Sequence, residues 1–125
     1  AHESLADPHN LSVVLSNIGD NPDLRVRYAV IGTRPSPRTG QDVTSLVFTV
    51  NDEPGALLGV LGHFAERGVN LKNIMSRPVP GETWDYVFYI EVVGHATDRA
   101  IVSALDGIKK NTKFVKVLGS YPMTP

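Results

Sequence analysis

An α+β fold is predicted for the larger part of this 125-residue chain by three observations. Apolar residues alternate with polar ones along several short runs, two stretches repeat them at helical spacing, and the runs follow in the order strand, helix, strand, strand, helix, strand. That βαββαβ order is the ferredoxin-like split unit, one sheet covered by two helices.

The first strand is expected over 44–50, where Leu46, Phe48 and Val50 alternate against Ser45 and Thr49. A helix over 54–67 opens on Pro54 and Gly55, carries Leu57, Leu58, Leu61, Phe64 and Ala65 at helical spacing, and stops at Gly68. Strand two covers 69–77, and a turn over 78–82 leads to strand three over 84–93. There Trp84, Tyr86, Phe88, Ile90 and Val92 share one face, and Val87, Tyr89 and Glu91 the other. The second helix covers 98–110, with Thr97 as N-cap, Ile101, Leu105 and Ile108 as its apolar stripe, and Lys109 and Lys110 at its end. Strand four is expected over 114–118. Because Val87 and Tyr89 leave the second sheet face half apolar, a partner surface is expected to cover it.

Upstream, 33–43 is polar, holds Pro35, Pro37 and Gly40, and has no period, so it reads as a linker. Before it, Leu11, Val14, Leu15 and Ile18 lie on one face of a helical pattern, and 25–31 reads as a strand. One helix and one strand cannot bury a core, so 1–32 reads as a remnant of a larger α/β domain.

Twelve basic and thirteen acidic residues, with no long charge run, point to neither nucleic acid nor an anionic membrane. The absence of cysteine excludes disulfides and thiol catalysis and fits a reducing cytoplasm. No apolar stretch reaches the roughly 20 residues that span a bilayer. His2, His9, His63 and His95 lack metal-ligand spacing, and no metal or cofactor is expected.

The run Asp52-Glu53-Pro54-Gly55-Ala56-Leu57-Leu58 and the stretch from Gly68 through Asn70, Leu71, Ile74, Ser76 and Arg77 to Pro78 read together as a small-molecule cradle. The first helix amides suit a carboxylate, with Gly55 letting backbone approach closely. Carbonyls near Asn70 and Leu71, or the Asn70 amide oxygen, suit an ammonium. Leu57, Leu58, Leu71 and Ile74 can line a pocket for an apolar side chain. Arg77 fits either a carboxylate or a surface ion pair. On spacing alone, a helix start and a turn explain the same residues equally well.

The combination of Pro-Gly-Ala-Leu at 54–57, Gly-Val-Asn-Leu at 68–71, Ser-Arg-Pro at 76–78 and the closing Leu-Gly-Ser-Tyr-Pro at 118–122 resembles an ACT domain of the phenylalanine-sensing type found in prephenate dehydratases. The resemblance implies an ACT regulatory domain over 44–122 that binds L-phenylalanine or a similar apolar amino acid, and it implies a homodimer or higher homo-oligomer. The alternative is a ligand-free ACT dimerisation module. Met75 stands where the family has glutamate before Ser-Arg-Pro, so ligand binding is expected to survive better than the conformational response.

The Asp20-Asn21-Pro22 turn followed by Val26-Arg27-Tyr28 resembles the close of a prephenate dehydratase catalytic domain, where a catalytic Thr-Arg-Phe follows such a turn. Arg27 matches the catalytic arginine, and Val26 replaces the threonine and its hydroxyl. The resemblance implies a prephenate dehydratase as the parent; since valine cannot donate the proton that an expelled hydroxide needs, either the parent uses another donor or it is a diverged relative with weakened chemistry. The rest of the family's two-lobed catalytic domain is not found in these residues, so this chain by itself is expected not to be catalytic.

Overall fold

The computed structural model describes residues 2–79 and 86–123. The chain falls into two units, Ala1–Ile31 and Gly32–Pro125.

The second unit carries β1 (Asp42–Thr49), α1 (Ala56–Ala65), β2 (Leu71–Pro78), β3 (Tyr86–Val93), α2 (Arg99–Ile108) and β4 (Phe114–Pro122). Among the described residues the sheet has four strands in the order β2-β3-β1-β4, with every neighbouring pair antiparallel. This is the predicted ferredoxin-like fold. Trp84 and residues 80–82 of the predicted turn lie outside the described residues.

The period of two along β1 and β3 builds the core. Leu46 pairs with Ile90 and Phe48 with Phe88, so their side chains share one face. Leu46, Phe48, Ile90 and Val92 pack with Val60 and Phe64 of α1 and with Ile101, Ala104 and Ile108 of α2. The Phe48 and Phe88 rings stack with centroids 5.5 Å apart. Burial of one such side chain stabilises the fold by about 1.5–3 kcal/mol. On the opposite face, Met75 lies across from Tyr89, and the two are 47% and 40% exposed.

Several boundaries move for identifiable reasons. The first helix begins at Ala56 rather than Pro54, because Gly55 takes a left-handed conformation, φ 84°, at the N-cap. Its core line is Val60 and Phe64, with Leu57 and Leu61 half-buried and Leu58 and Ala65 exposed. At its end Gly68 has φ 67°, and the Val69 amide donates to the Phe64 carbonyl at 2.9 Å, which closes the helix as predicted. Asp98, not Thr97, is the N-cap residue of α2. β4 runs on to Pro122 through a register shift beside Ser45 and Leu46; Val117 and Gly119 take the paired places, and Leu118 between them has no partner in the ladder. Pro122 is tolerated there because β4 is an edge strand.

The N-terminal unit departs from its predicted helix and strand. It has short 3₁₀ turns at Glu3–Leu5 and Asp7–His9 and no regular element over 11–31. Val14, Val30 and Ile31 are at least 90% exposed. An eight-residue helix and a lone strand both need a surface to pack on, and the apolar residues of both patterns lie exposed.

Candidate functional site

The turn into α1 is set by local hydrogen bonds. The Glu53 amide donates to the Asn51 carbonyl at 2.9 Å, and the Ala56 amide donates to the Glu53 carbonyl at 3.1 Å. Pro54 has no amide hydrogen, and the helical bonding resumes with the Gly59 amide on the Gly55 carbonyl at 2.9 Å. Among the described residues, the Leu57 and Leu58 amides have no acceptor. The Gly55 amide has none either, so the donors open to an anion around this turn are those of Gly55, Leu57 and Leu58, the Ala56 amide being taken by Glu53. Asp52, Pro54 and Gly55 themselves are exposed.

Leu57 and Leu71 both pack against the core. By contrast Leu58 is 73% and Ile74 43% exposed, so they are surface rather than pocket residues within one chain. Ser76 and Arg77 lie exposed on edge strand β2, opposite Phe88 and Val87. The Asn70 side chain is exposed, whereas its carbonyl accepts the Val93 amide at 2.8 Å, and its second lone pair remains for another donor. Arg27 belongs to the N-terminal unit, on a stretch without regular secondary structure next to Val26, which is 68% exposed.

A polar cluster that sequence reasoning passed over joins the segment before β1, the β3–α2 loop and the end of β4. Asp42, 2% exposed, accepts from the Thr39 hydroxyl at 2.6 Å and from the Thr39 and Gly40 amides at 2.9 and 3.0 Å. The Thr39 hydroxyl, foremost among these, holds the Asp42 carboxyl below its ordinary value. Thr44, fully buried, donates its hydroxyl to the Gly94 carbonyl at 2.7 Å and meets the Ser120 hydroxyl at 2.9 Å. The Ser120 oxygen accepts the Ala96 amide at 3.0 Å. The one signal in the sequence is Gly94-His95-Ala96-Thr97, a run of small and polar residues between two strong elements.

Among the described residues, no group of three or more metal-ligating side chains comes together, and no helix is long and apolar enough to cross a membrane.

Residues 44–109 match the ACT domain family model. The chain is 43% identical over 122 residues to the bifunctional chorismate mutase/prephenate dehydratase of Aquifex aeolicus, which covers 98% of this chain and 34% of that protein. Its structure is similar to that of the prephenate dehydratase of Arthrobacter aurescens in complex with L-Phe, with a TM-score of 0.67 and 41% identity over 74% of this chain and 30% of that one. It is also similar to a quorum-quenching acylase described as a novel type, with a TM-score of 0.69 and 32% identity over 76% of this chain and 34% of the other. The chain spans about a third of the length of the curated relatives it matches. With the family model matched over 44–109 and prephenate dehydratases among its relatives, the chain belongs to the ACT domain family, in the form that prephenate dehydratases carry.

Proposed function

We propose that residues 44–122 form an amino-acid-sensing regulatory domain, with L-phenylalanine or a similar apolar amino acid as ligand, in a longer protein that is a prephenate dehydratase. The observation that carries this reading is the likeness, at 41% identity, to a dehydratase solved with L-Phe. The local chemistry supports it. The ligand carboxylate meets the Leu57 and Leu58 amides, the ammonium donates to the Asn70 carbonyl, and Leu57, Leu71 and Ile74 face the side chain. Since Leu58 and Ile74 are exposed in one chain, a second copy on edge strand β2 supplies the missing wall, making a homodimer that buries on the order of 1,200 Å² or more.

The 1–32 segment is read as the end of the catalytic domain and 33–43 as the connection to the sensor. With Val26 in place of the threonine, and most of a catalytic domain outside these 125 residues, the chain alone forms no phenylpyruvate.

The test is chemical-shift mapping with L-phenylalanine. Shifts concentrated at 56–58 and 70–76 support the reading. Shifts that leave 56–58 and 70–76 untouched would overturn the site, and no shifts at all leave a ligand-free dimerisation module.

A further inference from the structure

We infer that the β3–α2 loop is a latch that couples the amino-acid site to the segment entering β1, with His95 as the residue that holds the two together; the coupling rests on the ligand reading given above. The Asn70 carbonyl, assigned to the ligand's ammonium, accepts the Val93 amide at 2.8 Å. The next residue, Gly94, donates its amide to the Asp42 carbonyl at 2.7 Å and accepts the Thr44 hydroxyl at 2.7 Å. One peptide unit therefore separates the ligand-facing strand end from the start of β1.

His95 extends that connection to residues 36–40. It is 8% exposed, and its Nε2 lies 3.2 Å from the Ser36 carbonyl. A carbonyl can only accept, so Nε2 carries the hydrogen and Nδ1 accepts, from the Thr97 amide at 3.2 Å and the Thr97 hydroxyl at 2.8 Å. The His95 amide in turn donates to Asp98 Oδ2 at 2.9 Å, while Arg38 forms an ion pair with Asp98 Oδ1 at 2.8 Å. Asp42 closes the turn through the Thr39 and Gly40 amides. A segment whose composition reads as a free linker is thus fastened at Ser36, Arg38, Thr39 and Gly40.

Gly94 is where the loop passes close against α2, with room for no side chain. Gly94 has φ 120°, and a Cβ there would stand 3.0 Å from Ile101 Cδ1 and 3.1 Å from Asp98 Oδ2. A ligand that fixes the Asn70 carbonyl restrains Val93 and Gly94, and through them the Asp42 turn. The expected response is a tighter latch.

The experiment is hydrogen exchange at the Thr39 and Gly40 amides of the 125-residue chain, with and without saturating L-phenylalanine, alongside calorimetry. In the native chain the ligand should slow both amides by about fivefold or more, the lower end of ordinary coupling between sites. In His95→Ala that slowing should shrink severalfold while L-phenylalanine still binds and the β1 and β3 amides stay protected, the part carried by Gly94 and Asp42 alone remaining. Binding without slowing in the native chain, or undiminished slowing in His95→Ala, would overturn the latch. Should His95→Ala fail to fold, Arg38→Gln removes only the Asp98 ion pair from a side chain 62% exposed, and the slowing should shrink there; undiminished slowing would count against the latch. Absence of binding heat in the native chain would instead overturn the ligand reading and the coupling with it. In that event, Thr39 and Gly40 amides protected in the native chain and freed in His95→Ala would still mark the fastening as real.

Discussion

The His63 imidazole packs against Gly107 so closely that a Cβ on the glycine would stand 2.6 Å from Nδ1 and 3.0 Å from Cγ. The ring is half-buried between α1 and α2, and among the described residues its Nδ1 has no hydrogen-bond partner. Gly107 thus makes room on α2 for a side chain of α1. Gly107→Ala gains up to about 1 kcal/mol of helix propensity, yet it forces the ring or the helices apart at a cost of about 1–3 kcal/mol. The expected net result is a lower denaturant midpoint. In a His63→Ala background the obstruction is gone, and the same glycine substitution should become neutral or stabilising.

Gly55 constrains the site differently. Gly55→Val would damage binding far more than folding only if the glycine were helical. Its φ of 84° removes that condition, since a side chain at this angle is strained even though nothing lies within 4 Å of the added Cβ. Gly55→Ala should lower stability by about 1–2 kcal/mol, and Gly55→Val by more because of its branched Cβ. Thermal unfolding without ligand measures this. Binding to either variant is therefore to be compared only after its folded fraction is known.

Thr44→Val keeps the shape of a fully buried side chain and deletes the hydroxyl that serves Gly94 and Ser120. The Gly94 carbonyl then loses that donor in the interior, and a loss of about 1–3 kcal/mol is expected in urea unfolding. Thr44→Ser should recover most of the hydrogen-bond contribution.

Asp42 gives the chain an acid-sensitive joint. Its carboxyl is held below the ordinary value of 3.8, chiefly by the Thr39 hydroxyl, with burial opposing and the Thr39 and Gly40 amides and His95 assisting. A depressed folded value means that the stabilisation is complete above the ordinary aspartate value and is lost as pH falls through the depressed one. Stability measured from pH 5 downward should therefore fall less steeply in Asp42→Asn than in the native chain.

The core was legible because period two needs only neighbouring residues. Leu46 and Phe48, like Ile90 and Val92, announce their shared face locally, and the same holds for the Gly68 helix stop. The latch was not legible, because it joins residues remote in sequence through single polar contacts, such as Thr44 with Ser120 and His95 with Ser36. Polar side chains carry no periodic signal of their partners. The 11–18 and 25–31 patterns misled for a related reason: periodicity reports a face ready to pack, while a helix or strand forms only where a surface receives it. At the candidate site, Pro54 and Gly55 marked the helix start, but not that the Ala56 amide is taken by the Glu53 carbonyl, which leaves Gly55, Leu57 and Leu58 as the open donors.

Calorimetric titration of the 125-residue chain with L-phenylalanine tests the proposed sensor most directly. A ligand this small is limited in affinity, and a dissociation constant of micromolar to millimolar order, about 4–8 kcal/mol, is expected. Saturable heat in that range, with the D enantiomer binding more weakly, is the predicted result. No heat with L-phenylalanine or any other apolar L-amino acid, at chain concentrations where sedimentation shows a dimer, would contradict it.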